Sequence, residues 1–409
     1  MTSVAVVGLG RIGLPLALSF ADRGLRVVGV DREPAVLDAI RTGRMPFRET
    51  GTQELLDRVG PKLELASDIR EAAAADHIVL TIGTPAFAQI EIDISQIRDA
   101  LDALLPHLRE GHTIILRSTV APGTTDWVAG WLEQRRGFRV GEDVFVAHVP
   151  ERIATNRFLE EIATLPCIVG GVGPGSGERA AEPFTAFGAE IVQTTPVQAE
   201  LAKIWTNILR YTEFALPNLL MMNCEQHDAN VFEVIDLINR DYPRGGIAAP
   251  GLTAGTCLRK DFAFSEERSS APGMLLAVSR VHETVPLFLV EGLKRRLGGT
   301  LRDRKVTVLG LTFKRDSDDL RDSLSAKLIR LLERELASVS RHDPYVPDQS
   351  EPLASALAGS DAVVIATNHS AYDGIFPMVP PGALVVDPWN ASGAGQVFAF
   401  GDELVPSPA

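Results

Sequence analysis

Residues 4–31 read VAVVGLGRIGLPLALSFADRGLRVVGVD, and this stretch decides the fold. VAVVGL (4–9) is a short Val-rich run of the buried-strand type. It turns at Gly8-Leu9-Gly10-Arg11-Ile12-Gly13, a G-x-G-x-x-G, and passes into IGLPLALSFADRG (12–24). That segment has helix-spaced apolar residues and ends in Gly24, a C-terminal stop. RVVGVD (26–31) is a second strand, closing on Asp31. Strand, glycine turn, helix, strand and closing acid make a βαβ unit suited to a dinucleotide. Gly8 permits the tight turn, Gly10 lets backbone approach a pyrophosphate, and Gly13 lets the helix pack on the strand. Arg11 and Ile12 fill the variable positions, and the helix N-terminus faces the phosphates. Asp31 would accept hydrogen bonds from the adenosine ribose and repel a 2′-phosphate. NAD is therefore expected over NADP, a preference that the neighbouring Arg32 softens. A glycine-rich turn in an α/β domain that binds no nucleotide is the competing reading, and the strand–helix–strand context argues against it.

Working outward, the alternation continues. PAVLDAIRTG (34–43) is a helix; HIVLTIG (77–83), HTIILRS (112–118) and DVFVAHV (143–149) are strands, with Cys167–Gly171 and Glu190–Gln193 as further strands. Strands alternating with helices indicate a parallel, doubly wound sheet. Gly83-Thr84-Pro85 and Ser118-Thr119-Val120 sit at strand carboxyl ends, where such a sheet binds ligands. Taken alone, those hydroxyls are better accounted for by turn chemistry and capping. From Pro196 to Arg240 the periodicity is helical, a Gly/Pro-rich loop follows (242–256), and Gly273–Leu297 is helical again. RRLGGTLRDR (295–304) reads as a boundary. Alternation then restarts with KVTVLGL (305–311), a helix at 324–337, and strands SVSRHDP (338–344), DAVVIAT (361–367) and ALVVDP (383–388). The expected architecture is α/β: two Rossmann-like doubly wound domains, 1–195 and 301–409, joined by a helical domain, 196–300.

The chain has 409 residues, 45% of them apolar and 23% charged, with a formal net charge of -13. Its length fits two or three domains, since single cores stop growing near ~250–300 residues. The acidic balance argues against nucleic acid or an anionic membrane as the main partner. Three scattered cysteines, Cys167, Cys224 and Cys257, form no disulfide framework or zinc pattern, so no metal is expected and the compartment is read as reducing. The start MTSVAVVGLG lacks the features of a signal peptide, and no run approaches the ~18 apolar residues of a membrane span. A cytoplasmic protein is expected.

In order along the chain, these segments resemble the UDP-glucose/GDP-mannose dehydrogenase family. The likeness covers nearly the whole length. VVGLGRIGLPLA resembles the family's opening fingerprint. RETGTQELL (48–56) is similar to its Glu-Pro-Gly-Leu segment, with Thr50 for the usual Pro. TIGTP (81–85) and RSTVAPGTT (117–125) resemble two active-site loops. AHVPERIA (147–154) resembles the Pro-Glu-Arg variant of the branch acting on N-acetylhexosamine nucleotides. ELAKIWTNILRYTEFALPN (200–218), GTCLRKD (255–261), LGLTFKRDSDDLRDS (309–323) and HDPYV (342–346) resemble the Lys-and-Asn helix, the cysteine loop and the C-terminal signature.

The resemblance implies a two-step, NAD-dependent oxidation of a primary alcohol to an acid, on the C6 hydroxymethyl of a nucleotide-linked hexose of the UDP-glucose or UDP-N-acetylhexosamine type. It makes Cys257 the nucleophile that traps the aldehyde as a thiohemiacetal and passes through a thioester. It assigns Lys203 and Asn207, which share one helix face, to the developing oxyanions. Asp261 and Glu151 become the candidate bases, Glu151 mainly for thioester hydrolysis, with Thr119 placing a water. Lys314, Arg152 and Arg244 fall on the substrate, Arg244 reaching across a dimer interface; Arg321, Ser118 and Thr84 fall on the cofactor side. The competing reading for each Lys or Arg is a solvated surface residue, the usual fate of such side chains. A homodimer is implied, and a place in polysaccharide biosynthesis. The chain departs from the pattern at Leu252, Ala254, Arg259, Leu219, Thr155-Asn156 and Trp389, the last where many relatives have an arginine. These positions put the identity of the sugar nucleotide in question more than the chemistry. Two other readings stay open: a single oxidation or epimerase-type reaction, which needs no thiol, and a non-catalytic protein that binds the cofactor or sugar nucleotide.

Overall fold

The computed structural model describes residues 2–83, 86–87, 91–92, 94–253, 255, 258, 260–261, 273–373 and 375–401. The chain divides into two compact units, one built on Met1–Thr206 and one on Asn207–Phe262 with Ser269–Ala409.

The strands of the first unit are β1 (Ser3–Val7), β2 (Arg26–Val30), β3 (Leu63–Ala66), β4 (His77–Leu80), a two-residue pair β5 (Ala86–Phe87) and β6 (Glu91–Ile92), then β7 (Thr113–Leu116), β8 (Phe145–His148), β9 (Cys167–Val172) and β10 (Ile191–Thr194). Eight of them form one sheet in the order β10-β9-β8-β7-β4-β1-β2-β3. Its helices are α1 (Gly13–Asp22), α2 (Pro34–Arg41), α3 (Thr52–Val59), α4 (Ser95–Leu104), α5 (Thr124–Arg136), α6 (Phe158–Thr164) and α7 (Ser176–Ala181). The β1 residues are buried on both faces, which is why the segment reads as an unbroken apolar run rather than an alternating one. Phe20 of α1 stacks on Phe187 at 5.1 Å and meets Phe184 edge-on at 5.4 Å.

The sheet departs from wholly parallel at one place: β9 runs antiparallel to β8. The cause lies in the connection. Residues 150–158 are pinned beside the carboxyl end of β8, because Glu49 accepts from the Asn156 and Phe158 amides and Glu161 accepts from the Ala154 amide. The chain therefore re-enters the sheet from that same end. Strand β3, absent from the sequence reading, is a four-residue edge strand with no β-branched residue.

In the second unit, α8 (Pro196–Gln226) enters from the first, followed by α9 (Val231–Asn239) and α10 (Met274–Arg296). A second sheet holds β11 (Lys305–Leu309), β12 (Ser338–His342), β13 (Ala362–Ile365), β14 (Leu384–Val386) and β15 (Phe398–Phe400) in the order β12-β11-β13-β14-β15, with α11 (Leu324–Arg334) following β11. Its strands run parallel except β15, a three-residue edge strand that the sequence reading passed over. The fold class is thus α/β, with two large sheets, a two-stranded pair, and a helical segment that lies between the large sheets in sequence.

The two sheets repeat one device. In the first, Gly8 follows β1 at φ +98°, Asp31 after β2 accepts from the Leu9 amide at 2.6 Å, and Thr81 after β4 donates to the Gly8 carbonyl at 2.6 Å. In the second, Gly310 follows β11 at φ +89°, Asp343 after β12 accepts from the Leu311 amide at 2.6 Å, and Thr367 after β13 donates to the Thr312 carbonyl at 2.5 Å. Each set closes the sheet where strand order reverses, the place at which open α/β sheets bind ligands.

Asp343 is the more deeply buried of the two acids, and it also accepts from Thr312 and Tyr345 amides and from His369 Nε2 at 3.0 Å. His369 Nδ1 accepts the Asp316 amide at 2.8 Å, so Nε2 carries the proton. Burial pushes the Asp343 carboxyl up, but the His369 hydrogen bond and the backbone donors outweigh it and hold the group below its usual range. A lowered folded value means stability present above the unfolded value near 3.8 and lost as pH falls through the folded one. Asp343→Asn, which turns an N–H toward donors, is expected to lose about 2–4 kcal/mol at neutral pH. Chemical denaturation across pH should show the gap between the two proteins closing below about pH 4.

Candidate active site

At the carboxyl end of β1 the three glycines differ in surroundings. A Cβ on Gly13 would lie 1.8 Å from the Gly8 carbonyl oxygen, so α1 approaches the strand as only glycine allows. A Cβ on Gly10 would meet nothing within 4 Å, leaving the loop open on the side a pyrophosphate would take. No side chain caps the start of α1. Helix-terminal N–H groups without a cap suit an anion. Arg11 lies over the Phe47 ring at 5.3 Å, and Arg32 is exposed. Asp31 Oδ1 accepts the Glu33 amide at 2.9 Å while Oδ2 holds Leu9, so one carboxylate shapes the glycine loop on both sides. These residues fit NAD, which when bound supplies the hydride acceptor. Asp31→Ala is expected to raise the KM for NAD about tenfold and narrow the preference over NADP, roughly 1.4 kcal/mol of lost contact. Initial rates against both cofactors check this.

Thr84 lies outside the described residues. Ser118 donates to the Ile82 carbonyl, so its hydroxyl ties two strand-end loops together, as turn chemistry would have it. Thr119 is half-buried in the next position. Glu151, after β8, is buried: Oε1 accepts the Ile153 amide at 2.7 Å and Oε2 binds the guanidinium of Arg117, itself buried. Arg117 also donates to the Val149 carbonyl and lies over Phe184 at 5.0 Å. A cavity of about 30 Å³, bordered by Arg117, Glu151, Cys167 and Phe184, has room for about one water. Burial and then Arg117 push the neighbouring His148 ring down to about 3, so it is neutral. Arg152 donates to the Pro166 carbonyl.

Helix α8 carries Lys203 and Asn207 one turn apart. Three residues before Lys203, the buried Glu200 accepts from the Gly123 and Thr125 amides at 2.7 and 2.8 Å and from the Thr125 hydroxyl. It caps α5, so the lysine-bearing helix is bonded to the loop that follows Thr119. In the second unit, Asn207 Nδ2 donates to Asp261 Oδ2 at 2.5 Å, and both groups are buried. Cys257, four residues before Asp261, lies outside the described residues, as do Ala254 and Arg259. Arg321 forks onto Asp319 with contacts of 2.7 and 2.9 Å. Lys314 is half-buried. Arg244 is exposed and stacks over Tyr242 at 4.7 Å. Among the described residues no group of three or more His, Cys, Asp or Glu could hold a metal, and no helix is long and apolar enough to cross a membrane.

Comparison with known proteins decides the lineage. Residues 2–187 match the NAD binding domain of the UDP-glucose/GDP-mannose dehydrogenase family, 197–284 its central domain and 307–393 its UDP binding domain. The UDP-N-acetyl-D-mannosamine dehydrogenase of Pyrococcus horikoshii is 31% identical over 383 residues, which cover 91% of this chain and 90% of that one. The chain belongs to the UDP-glucose/GDP-mannose dehydrogenase family. It is an oxidoreductase, an NAD-dependent nucleotide-sugar dehydrogenase. A solved UDP-D-ManNAc dehydrogenase from P. horikoshii superposes with a TM-score of 0.89 at 30% identity, covering 95% of this chain and 96% of that one. A UDP-glucose dehydrogenase from Pyrobaculum islandicum gives 0.84 at 30% identity, covering 95% and 94%.

Several departures from the family pattern have local causes. Asn156, at φ +68°, takes a left-handed conformation where a glycine is frequent, and Asn is among the side chains that tolerate it best. Leu252 is buried in the core of the second unit with Met221, Leu311 and Leu324. Trp389 donates its indole N–H to the Ala366 carbonyl at 3.0 Å. Sequence reasoning missed Arg117, Glu200 and His369. A charged residue inside an apolar strand end, LRS at 116–118, was the available signal for the first.

Proposed function

We propose that this dehydrogenase oxidises the C6 hydroxymethyl of a UDP-activated 2-acetamidohexose to the uronic acid in two steps, through a thiohemiacetal and a thioester on Cys257. The observation that carries the reading is the buried Asn207–Asp261 hydrogen bond, which joins the Lys203 helix to the segment holding Cys257. The Cys257 thiolate adds to the aldehyde carbon, and hydride loss leaves the thioester. Water then cleaves the C–S bond, returning the thiol and giving the carboxylate. Lys203 and Asn207 stabilise the oxyanions and Asp261 takes protons near them. Glu151 serves hydrolysis, and Thr119 places the water. Lys314, Arg152 and Arg244 serve the diphosphate and sugar, with Arg321, Ser118 and Thr84 on the cofactor side. The 2-acetamido substituent is favoured by the Pro-Glu-Arg motif and by the UDP-N-acetyl-D-mannosamine dehydrogenase among the relatives.

The segments 1–195, 196–300 and 301–409 divide this work into cofactor binding, dimerisation and nucleotide-sugar binding. A homodimer is supported by α8, which exposes Leu201, Trp205, Leu209, Leu216 and Leu219 along one side. A row of large apolar side chains at such spacing favours a partner helix. A reducing cytoplasm rests on three scattered cysteines that form no disulfide framework in the sequence, and a uronic acid sugar nucleotide is a building block for polysaccharide. Initial rates with UDP-N-acetyl-mannosamine, UDP-N-acetylglucosamine and UDP-glucose test the substrate. The expected result is a kcat/KM for one of the acetamido sugars at least tenfold above UDP-glucose. Comparable or better turnover of UDP-glucose overturns the 2-acetamido assignment.

A further inference from the structure

The loop leading into Cys257 contains two glycines, Gly251 and Gly255, and an aromatic ring from the C-terminal part of the same unit lies on each. A Cβ on Gly251 would fall 2.4–2.5 Å from three atoms of the Trp389 indole. A Cβ on Gly255 would fall 2.7 Å from the Phe313 ring. The backbone amides of the same glycines are held as well. Gly251 donates to Asn218 Oδ1 at 2.8 Å and Gly255 to the Asp322 carbonyl at 3.4 Å.

The Trp389 ring is held in place. The Trp389 indole is anchored through its N–H to Ala366, and its backbone amide donates to the buried Asp387, which also accepts from Ala391 and Ser392. Asn218 is fixed in turn beside His282, whose Nε2 bonds the Tyr211 carbonyl at 2.8 Å while its ring stacks on Tyr211 at 4.3 Å. Phe313 immediately precedes Lys314.

We propose that Phe313 and Trp389 are positioning residues for the nucleophile loop, an aromatic clamp that fixes its backbone on Gly251 and Gly255 and couples the Lys314 loop to it. Trp389, standing where many relatives have an arginine, thereby takes part in setting the thiol rather than in charge pairing. The inference rests on Cys257 being the nucleophile. Flat rings against glycine backbone leave no room for a methyl group, so tight packing here is a constraint on loop position.

The test is a second-site rescue. Gly251→Ala is expected to lower kcat tenfold or more and to change the alkylation rate at Cys257, read by peptide mass spectrometry with iodoacetamide, several-fold. The KM for NAD should stay within twofold. Trp389→Leu added to Gly251→Ala makes room for the methyl group and should recover most of both losses. Phe313→Leu alone should shift the Cys257 alkylation rate without changing the KM for NAD, and serves if the Gly251 variants fail to fold. Wild-type alkylation in Gly251→Ala and Phe313→Leu, or a folded double variant no better than the single, overturns the clamp. Cys257→Ala in the same assay separates the two claims. If it retains turnover, the thioester reading fails, whereas the alkylation arm reports on the clamp without any turnover.

Discussion

Cys257→Ala should abolish acid formation, lowering NADH production from the nucleotide sugar by about 10³-fold or more. The reason is the second oxidation. An aldehyde bound without a thiol has only its hydrate from which to lose hydride, and nothing covalent prevents its escape. The thiolate supplies both a tetrahedral donor and a tether. A single oxidation has no such requirement, so an enzyme of that kind would keep most of its rate in the same variant. NAD affinity should be unchanged, because the substitution leaves Gly8, Gly10, Gly13 and Asp31, the residues assigned to the cofactor, as they are. NADH formation and NAD titration on one preparation check both halves of this expectation.

Gly13→Ala is expected to be the most damaging change in the cofactor domain. The added carbon would sit 1.8 Å from the Gly8 oxygen, 2.5 Å from Thr81 Oγ1 and 2.9 Å from the Gly8 carbonyl carbon. Two of those atoms are backbone, fixed by β1 and by the Thr81 bonds to the Val7 and Gly8 carbonyls. Relief requires α1 to move off the sheet, taking Leu14, Leu16 and Phe20 from the core. A loss of about 2–4 kcal/mol is expected, with NAD affinity down tenfold or more. Thermal melts with and without NAD provide the readout. NAD should raise the wild-type Tm through linkage and leave that of the variant nearly unmoved.

The cofactor domain was the most legible part of the sequence, for a physical reason. A buried parallel strand must be apolar on both faces, and a tight turn beneath a helix must be glycine, so VAVVGLG carries both constraints within seven residues. Strands β3 and β15 were invisible because edge strands of three or four residues need neither. The reversed direction of β9 was hidden because it depends on where Glu49 and Glu161 bind the 150–158 segment, a long-range matter. Glu200 and His369 looked like ordinary polar residues; only burial beside backbone amides gives them their roles as cap and cross-link. Trp389 stood out as a departure from the family pattern, but its contact with Gly251 joins residues far apart in sequence.

The measurement that tests the central claim most directly is the count of NADH formed per nucleotide sugar consumed, with the uronic acid product quantified in the same reaction. Two NADH and one uronate per sugar, with no free aldehyde, is the predicted result. One NADH per sugar with an aldehyde or ketone as product, or an epimer formed with no net NADH, would contradict it.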